Sequence, residues 1–226
     1  MGPPCLIYCT YQIPGGIRGN TKGGMDMARL YFIYSTMDSG KSLDLLKSAH
    51  NYESQDKNVL LFTTEKDTRC GKISSNATTG IISTRLGLKR EAYLIERVDA
   101  FRLAQDESPH CIFVDEAQFI DEKYILILAN IVDMLNIPVI CYGLKNDFKN
   151  NLFEGSRALL LYADKIQELK TVCIYCNKKA TMNMRVIDGN PEFEGEQIKI
   201  GGNESYKPVC RCCYMKFKRK AIKKIE

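Results

Sequence analysis

One short segment limits the folds open to this chain more than anything else in it: STMDSGKS at positions 35–42, set between two stretches of different periodicity. Before it, Leu30–Tyr34 (LYFIY) is a run of β-forming residues. After it, Leu45, Leu46, Ala49 and Tyr52 recur at helical spacing. The spacing therefore predicts a strand, a tight loop and a helix start. Gly40 lets the backbone approach a ligand with no Cβ in the way. Successive amides then point into an anion-binding nest at the helix N-terminus. Lys41 adds a point charge for the β- and γ-phosphates, and Ser42 offers a hydroxyl to Mg²⁺. The segment meets the pattern G-x-x-x-x-G-K-[ST] at every position but the first, where Ser35 stands. Ser35, Thr36, Met37, Asp38, Ser39, Gly40, Lys41 and Ser42 are the candidate phosphate contacts. The bland alternative is a chance loop in which Ser39 or Ser42 caps a helix.

A second element fits the first. Cys111–Val114 (CIFV) is a strand-like run that ends in Asp115, Glu116, Ala117 and Gln118. Adjacent residues at a strand end face opposite ways, so the two carboxylates can take separate roles. Asp115 would hold the hydration shell of Mg²⁺, and Glu116 would take the acceptor's proton. Phosphoryl transfer asks for little beyond such positioning and charge neutralisation. An acidic helix start is the competing reading. DEAQ also resembles a nucleic-acid helicase box. Helicases of that kind use tandem motor domains, and no second set of motor motifs is visible. Further apolar runs at Val59–Thr63 and Pro138–Tyr142, with a helix over 122–136 buried nearly all round, indicate a parallel sheet covered on both faces. This is an α/β nucleotide-binding domain over residues 28–170. Lys66, Asp67, Thr68 and Arg69 follow the second strand, where the ligand crevice of such a sheet lies. Arg69 could neutralise phosphate charge and Asp67 orient it; a plain surface turn is equally open. Phe119, Phe148, Phe153 and Tyr206 could frame a planar base or simply fill the core.

Ten cysteines demand a reason. The start of the chain, MGPPCLIYCTYQIPGG, lacks the basic and apolar regions of a secretory signal, so the expected setting is reducing and cytoplasmic. In such a setting clustered cysteines mean metal more often than disulfides. Cys173-x-x-Cys176 and Cys210-x-x-Cys213 can supply four thiolates to a tetrahedral Zn²⁺, leaving no open position, so the zinc is structural. Disulfides and unligated thiols are the alternatives. Cys212 is a possible substitute ligand, and Cys111 and Cys141 read as small core residues. Residues 171–215, with turn signals at 188–191 and 201–203, form a small zinc domain. Residues 216–226 read as a basic tail, either solvated or polyanion-binding, and residues 1–27 as a flexible or extraneous extension with Met27 a more natural start. Two histidines argue against histidine chemistry. The net charge of +5 allows polyanionic ligands without indicating nucleic acid. No apolar run reaches the ~18 residues of a membrane span.

In this order the motifs resemble the zinc-containing thymidine kinases. The resemblance covers about residues 29–215. It rests also on YGLKNDFKNNLFEGSRALLLYADKIQELKTVCIYCNKKAT (142–181) and on Gly202-x-Glu204-x-Tyr206-x-Pro208-x-Cys210-x-x-Cys213-Tyr214. It implies a RecA-like parallel sheet flanked by helices, with a small zinc-ribbon-like domain carrying a lasso loop. It further implies ATP-dependent phosphorylation of the thymidine 5′-hydroxyl, with Glu116 as general base. Ser35–Ser42, Asp67, Thr68, Arg69 and Asp115–Gln118 match the nucleotide-phosphate contacts. Met37, Phe119, Leu144, Phe148 and Phe153 match positions around the nucleoside. Gln197, Ile198, Lys199, Ile200 and Gly201 match the lasso stretch that holds the base through main-chain groups, closed by Tyr206. The loop lies between the cysteine pairs, so zinc would pin both its ends. Ser35 departs from the usual glycine, and Gln197 and Lys199 stand where apolar residues are common. A homotetramer and inhibition by the triphosphate end product are implied as well; a membrane or nucleic-acid partner is not. The competing function is a zinc-containing P-loop ATPase acting on nucleic acid. A third reading is a non-catalytic nucleotide binder, against which Lys41, Ser42, Asp115 and Glu116 all stand.

Overall fold

The computed structural model describes residues 27–67, 71, 73–197 and 204–222. Seven strands build the main sheet: β1 (Leu30–Ser35), β2 (Val59–Thr63), β3 (Thr79–Ser83), β4 (Lys89–Leu94), β5 (Cys111–Val114), β6 (Val139–Leu144) and β7 (Lys165–Glu168). Their order is β3-β4-β2-β5-β6-β1-β7. All neighbours run parallel except β3 and β4, which form an antiparallel hairpin at one edge. The expected α/β fold is present. The sheet is mostly rather than wholly parallel. β6 separates the strand that ends in the phosphate loop from the strand that ends in the acidic pair. Because these three strands are parallel, their C-terminal ends meet along one rim.

β5 shows why both faces are covered. Ile112 and Val114 join one apolar cluster, with Phe32, Phe62, Val139 and Cys141. Cys111 and Phe113 join another, with Ile33, Leu61 and Tyr142. Successive side chains of a strand point to opposite faces, so a strand buried on both faces carries no polar alternation. α1 (Lys41–Glu53) covers the second cluster with Leu45, Leu46 and Ala49. α2 (Ala100–Glu107), α3 (Glu122–Leu135) and α4 (Glu154–Tyr162) cover the first. α3 departs from the sequence reading. It buries Ile125, Leu128, Ile131 and Val132, whereas Leu126 is 38% and Met134 71% exposed. The helix lies on the outer layer, so only the stripe toward the sheet is covered.

Beyond β7 the chain forms a smaller antiparallel sheet, with β8 (Met182–Ile187), β9 (Asn190–Glu192) and β10 (Glu204–Val209) in the order β10-β8-β9. Asp188 and Gly189 join β8 to β9 with φ 47° and 80°, the left-handed pair that a tight hairpin requires. Met184, Val186, Phe193, Val209 and Tyr214 form its core. α5 (Arg211–Ile222) runs from the second cysteine pair through most of the basic segment, and Phe217 and Ala221 pack against that core. Residues 216–222 thus continue the helix. No helix among the described residues is long and apolar enough to cross a membrane.

Candidate active site and zinc centre

β1 delivers the chain into the phosphate loop, and Gly40, at φ 83°, turns it into α1. Ser35, Thr36, Lys41 and Ser42 are buried. Lys41 Nζ donates to Ser35 Oγ and to the Thr36 carbonyl, each at 3.1 Å. Ser35 Oγ also bonds Ser39 Oγ across the loop. The unusual serine thus gives the loop a cross-brace and Lys41 a seat, neither of which glycine provides. Ser42 Oγ donates to Asp115 Oδ2 at 2.8 Å, joining the loop to the end of β5. Hard cations take oxygen ligands, so this buried hydroxyl–carboxylate pair suits Mg²⁺.

Glu116 follows at φ 51°, a left-handed conformation that swings it away from the strand direction. Gln118 Nε2 donates to Glu116 Oε2 at 2.5 Å, while its Oε1 accepts from the Leu144 amide at 2.9 Å. Gly143 permits this approach: a Cβ there would lie 2.9 Å from Gln118 Oε1. Ala117 is fully buried in the 3₁₀ turn Ala117–Phe119.

A cleft of about 620 Å³ brings the two ends of the candidate site together. Met37, Asp38, Ser39, Gly40, Lys41, Ser42, Asp67 and Glu116 line it together with Phe119, Leu144, Phe148, Phe153, Gln197 and Tyr206. Ser35, Thr36, Asp115, Ala117 and Gln118 sit behind its wall. Phe119 meets Phe153 edge to face at 5.4 Å, and Phe148 meets Tyr206 at 6.4 Å. Thr68, Arg69, Ile198, Lys199, Ile200 and Gly201 lie outside the described residues.

The sequence reading places Lys66 at the crevice without a role and misses several other cleft residues. Lys66 donates to the Phe119 carbonyl at 2.9 Å and to Asp121 at 2.8 Å, holding the Asp121 carboxyl below its usual range. Asn146 and Asp147 follow β6, where the rule for strand ends could have found them. Arg85, in the β3–β4 turn, ion-pairs with Asp38. Asn183, on β8, accepts from the Met37 amide at 2.8 Å and donates to the Asn146 carbonyl at 2.8 Å. No local pattern marks it.

Cys173, Cys176, Cys210 and Cys213 converge, all four sulfurs lying within 4.8 Å of one another. Tetrahedral zinc thiolates stand about 3.8 Å apart, from Zn–S bonds of about 2.3 Å. The Cys213 amide donates to Cys210 Sγ at 3.4 Å and helps draw that thiol down to about 7. The donor set fits zinc. Cys212 is exposed and outside the cluster, and Cys111 and Cys141 are buried core residues. On the return side, β10 leads straight to Cys210. On the entry side, β8 and β9 intervene between Cys176 and the loop.

The thymidine kinase family model matches residues 28–214. A thymidine kinase of Enterococcus faecalis is 54% identical over 191 residues, 83% of this chain and 95% of its own. One from Lactococcus lactis is 54% identical over 193 residues, 84% of this chain and 98% of its own. One from Streptococcus pyogenes is 53% identical over 191 residues, 83% and 97% of the two chains. The match spans the phosphate loop, the acidic pair and both cysteine pairs, and the chain belongs to the thymidine kinase family.

Proposed function

We infer that the protein transfers the γ-phosphoryl group of ATP to the 5′-hydroxyl of thymidine, giving thymidine monophosphate and ADP. The observation that carries this reading is one cleft whose lining holds the phosphate-loop residues, the aromatic side chains of Phe119, Phe148 and Phe153, and Glu116. ATP lies with its phosphates on the loop at 35–42. Thymidine lies among Phe119, Leu144, Phe148, Phe153 and Tyr206 under the segment 197–201, its 5′-oxygen toward Glu116. Glu116 accepts the hydroxyl proton as that oxygen attacks the γ-phosphorus, and the bond to the ADP oxygen breaks in line. Gln118 holds the carboxylate in place. Lys41 offsets charge on the moving phosphoryl group, Asp67 lines the same cleft, and Thr68 and Arg69 are assigned to the phosphates by the resemblance alone. Ser42 and Asp115 would hold Mg²⁺, which when bound neutralises phosphate oxygens. The four cysteines would hold zinc in a structural role.

Three finer readings belong with this one. Thymidine triphosphate combines the nucleoside and the polyphosphate that the cleft accepts, which supports end-product inhibition. A homotetramer and a reducing, cytoplasmic setting are also proposed, the latter because four free thiols must be available to a metal. ADP release from Mg-ATP, measured with thymidine, deoxycytidine, the deoxypurine nucleosides or single-stranded DNA, tests the function. Turnover with thymidine is expected. Turnover only with DNA, or without any acceptor, overturns the reading.

A further inference from the structure

The four cysteines, which would hold zinc, stand next to β10 on the return side of the candidate thymidine loop, whereas the hairpin β8–β9 intervenes on the entry side. Something else must hold that side, and the residues that enter the loop show what does. Arg185, in the middle of β8, is 3% exposed. So buried a guanidinium depends on its surroundings for partners; its Nε finds no acceptor among the described residues, and its two terminal nitrogens supply the contacts. Its Nη1 donates to the Glu196 carbonyl at 3.2 Å, and its Nη2 donates to the Glu194 carbonyl. Its plane lies over the Phe148 ring at 3.8 Å, and Phe148 is itself part of the cleft wall. Gly195, between the two carbonyls, has φ 104°, and a Cβ there would stand 2.6 Å from Nη2. The backbone can therefore wrap the guanidinium only with glycine at this position. Lys149 donates to the Gly195 carbonyl at 2.8 Å, and Gln197 donates to Asp147 at 2.9 Å, so the segment is also tied to the loop after β6.

We propose that Arg185 is a positioning residue for thymidine: it clamps the entry strut of the substrate loop, residues 194–197, onto Phe148 and so sets the nucleoside pocket before substrate arrives. The inference rests on the thymidine kinase reading above. Its physical basis is that ordering a loop in advance removes that cost from binding. Lysine cannot replace the residue. It keeps the charge but loses both the planar stack and the two-pronged donation.

The test compares R185K and K149A with the wild-type protein, each carrying one zinc per chain. In R185K the KM for thymidine should rise about tenfold, the ratio expected for loss of one charge-assisted hydrogen bond. The kcat and the KM for ATP should stay within about twofold of wild type, a split that a general loss of structure would not give. K149A should shift the thymidine KM in the same direction but less. Without substrates, limited proteolysis should cut R185K faster than wild type between residues 194 and 204, and saturating thymidine should restore protection. Unchanged thymidine KM and cleavage in R185K overturn the proposal. So does a variant in which zinc content and both KM values fail together, since Arg185 would then only support the fold. If the wild-type protein did not turn over thymidine, the function would fall, yet cleavage without substrates would still decide whether the clamp exists.

Discussion

Glu116 owes its position to its own left-handed backbone and to Gln118 rather than to its strand. Its φ of 51° turns the side chain off the line of β5, and Gln118 ties the carboxylate to the end of β6. Two substitutions separate these effects. E116Q should lower kcat by about 10²–10⁴-fold, the usual worth of a general base, while ATP still binds, as titration calorimetry would show. Q118A should leave the base present but loosely held, so kcat should fall less and the pH–rate profile should keep its shape. A loss in Q118A equal to that in E116Q would mean that the glutamine does more than hold. G40A probes the loop differently. A Cβ on Gly40 meets nothing within 4 Å, so the cost is conformational: about 1–2 kcal/mol for a left-handed residue. At this size that amounts to a fall of a few degrees in Tm. At the same scale, STMDSGKS, DEAQ and the two C-x-x-C pairs could be read from sequence because their chemistry sits in contiguous residues. Asn183 and Arg185 could not: Asn183 acquires its partners when β8 meets the phosphate loop and the loop after β6, and Arg185 when residues 194–196 fold back over β8 and Phe148 packs on it.

Among the elements, those that feed the site announce themselves and those at or next to the edges do not. β1, β2, β5 and β6 are buried on both faces and read as unbroken apolar runs. β4 begins with exposed Lys89, Arg90 and Glu91, and β7 is short and half exposed, so neither shows the pattern of an interior strand. β7 is an edge strand and β4 lies one strand in from the edge strand β3, and the exposed, charged residues of both hide them from a search for apolar runs. α1 links packing directly to the phosphate loop. Leu45 is fully buried beneath it, and L45A should cost about 2–5 kcal/mol. Because the helix starts at Lys41, the KM for ATP should rise in the same variant. A stability loss with an unchanged ATP KM would show that the loop holds its shape without the helix behind it.

At the scale of the whole molecule, the seven-stranded sheet and the smaller sheet beside the four cysteines both contribute residues to one cleft. Zinc removal by a chelator should therefore raise the KM for thymidine more than the KM for ATP and lower the Tm; equal effects on both substrates would argue against a division of labour. Selectivity has a ceiling set by chemistry. Thymine and uracil differ by one methyl group, worth about 1–3 kcal/mol in a close-fitting pocket, so deoxyuridine should be used about 10–200-fold less well. Finally, one amide side chain serves both sheets: Asn183 holds the Met37 amide on one side and the Asn146 carbonyl on the other. Any shift of the phosphate loop is felt at β8, and any shift at β8 is felt by the loop. Were a shift carried across by this residue, each substrate would alter the other's affinity by the same factor. Thymidine affinity measured with and without a non-hydrolysable ATP analogue should differ in the wild-type protein and converge in N183A. In that sense the protein senses through one residue whether its other substrate has arrived.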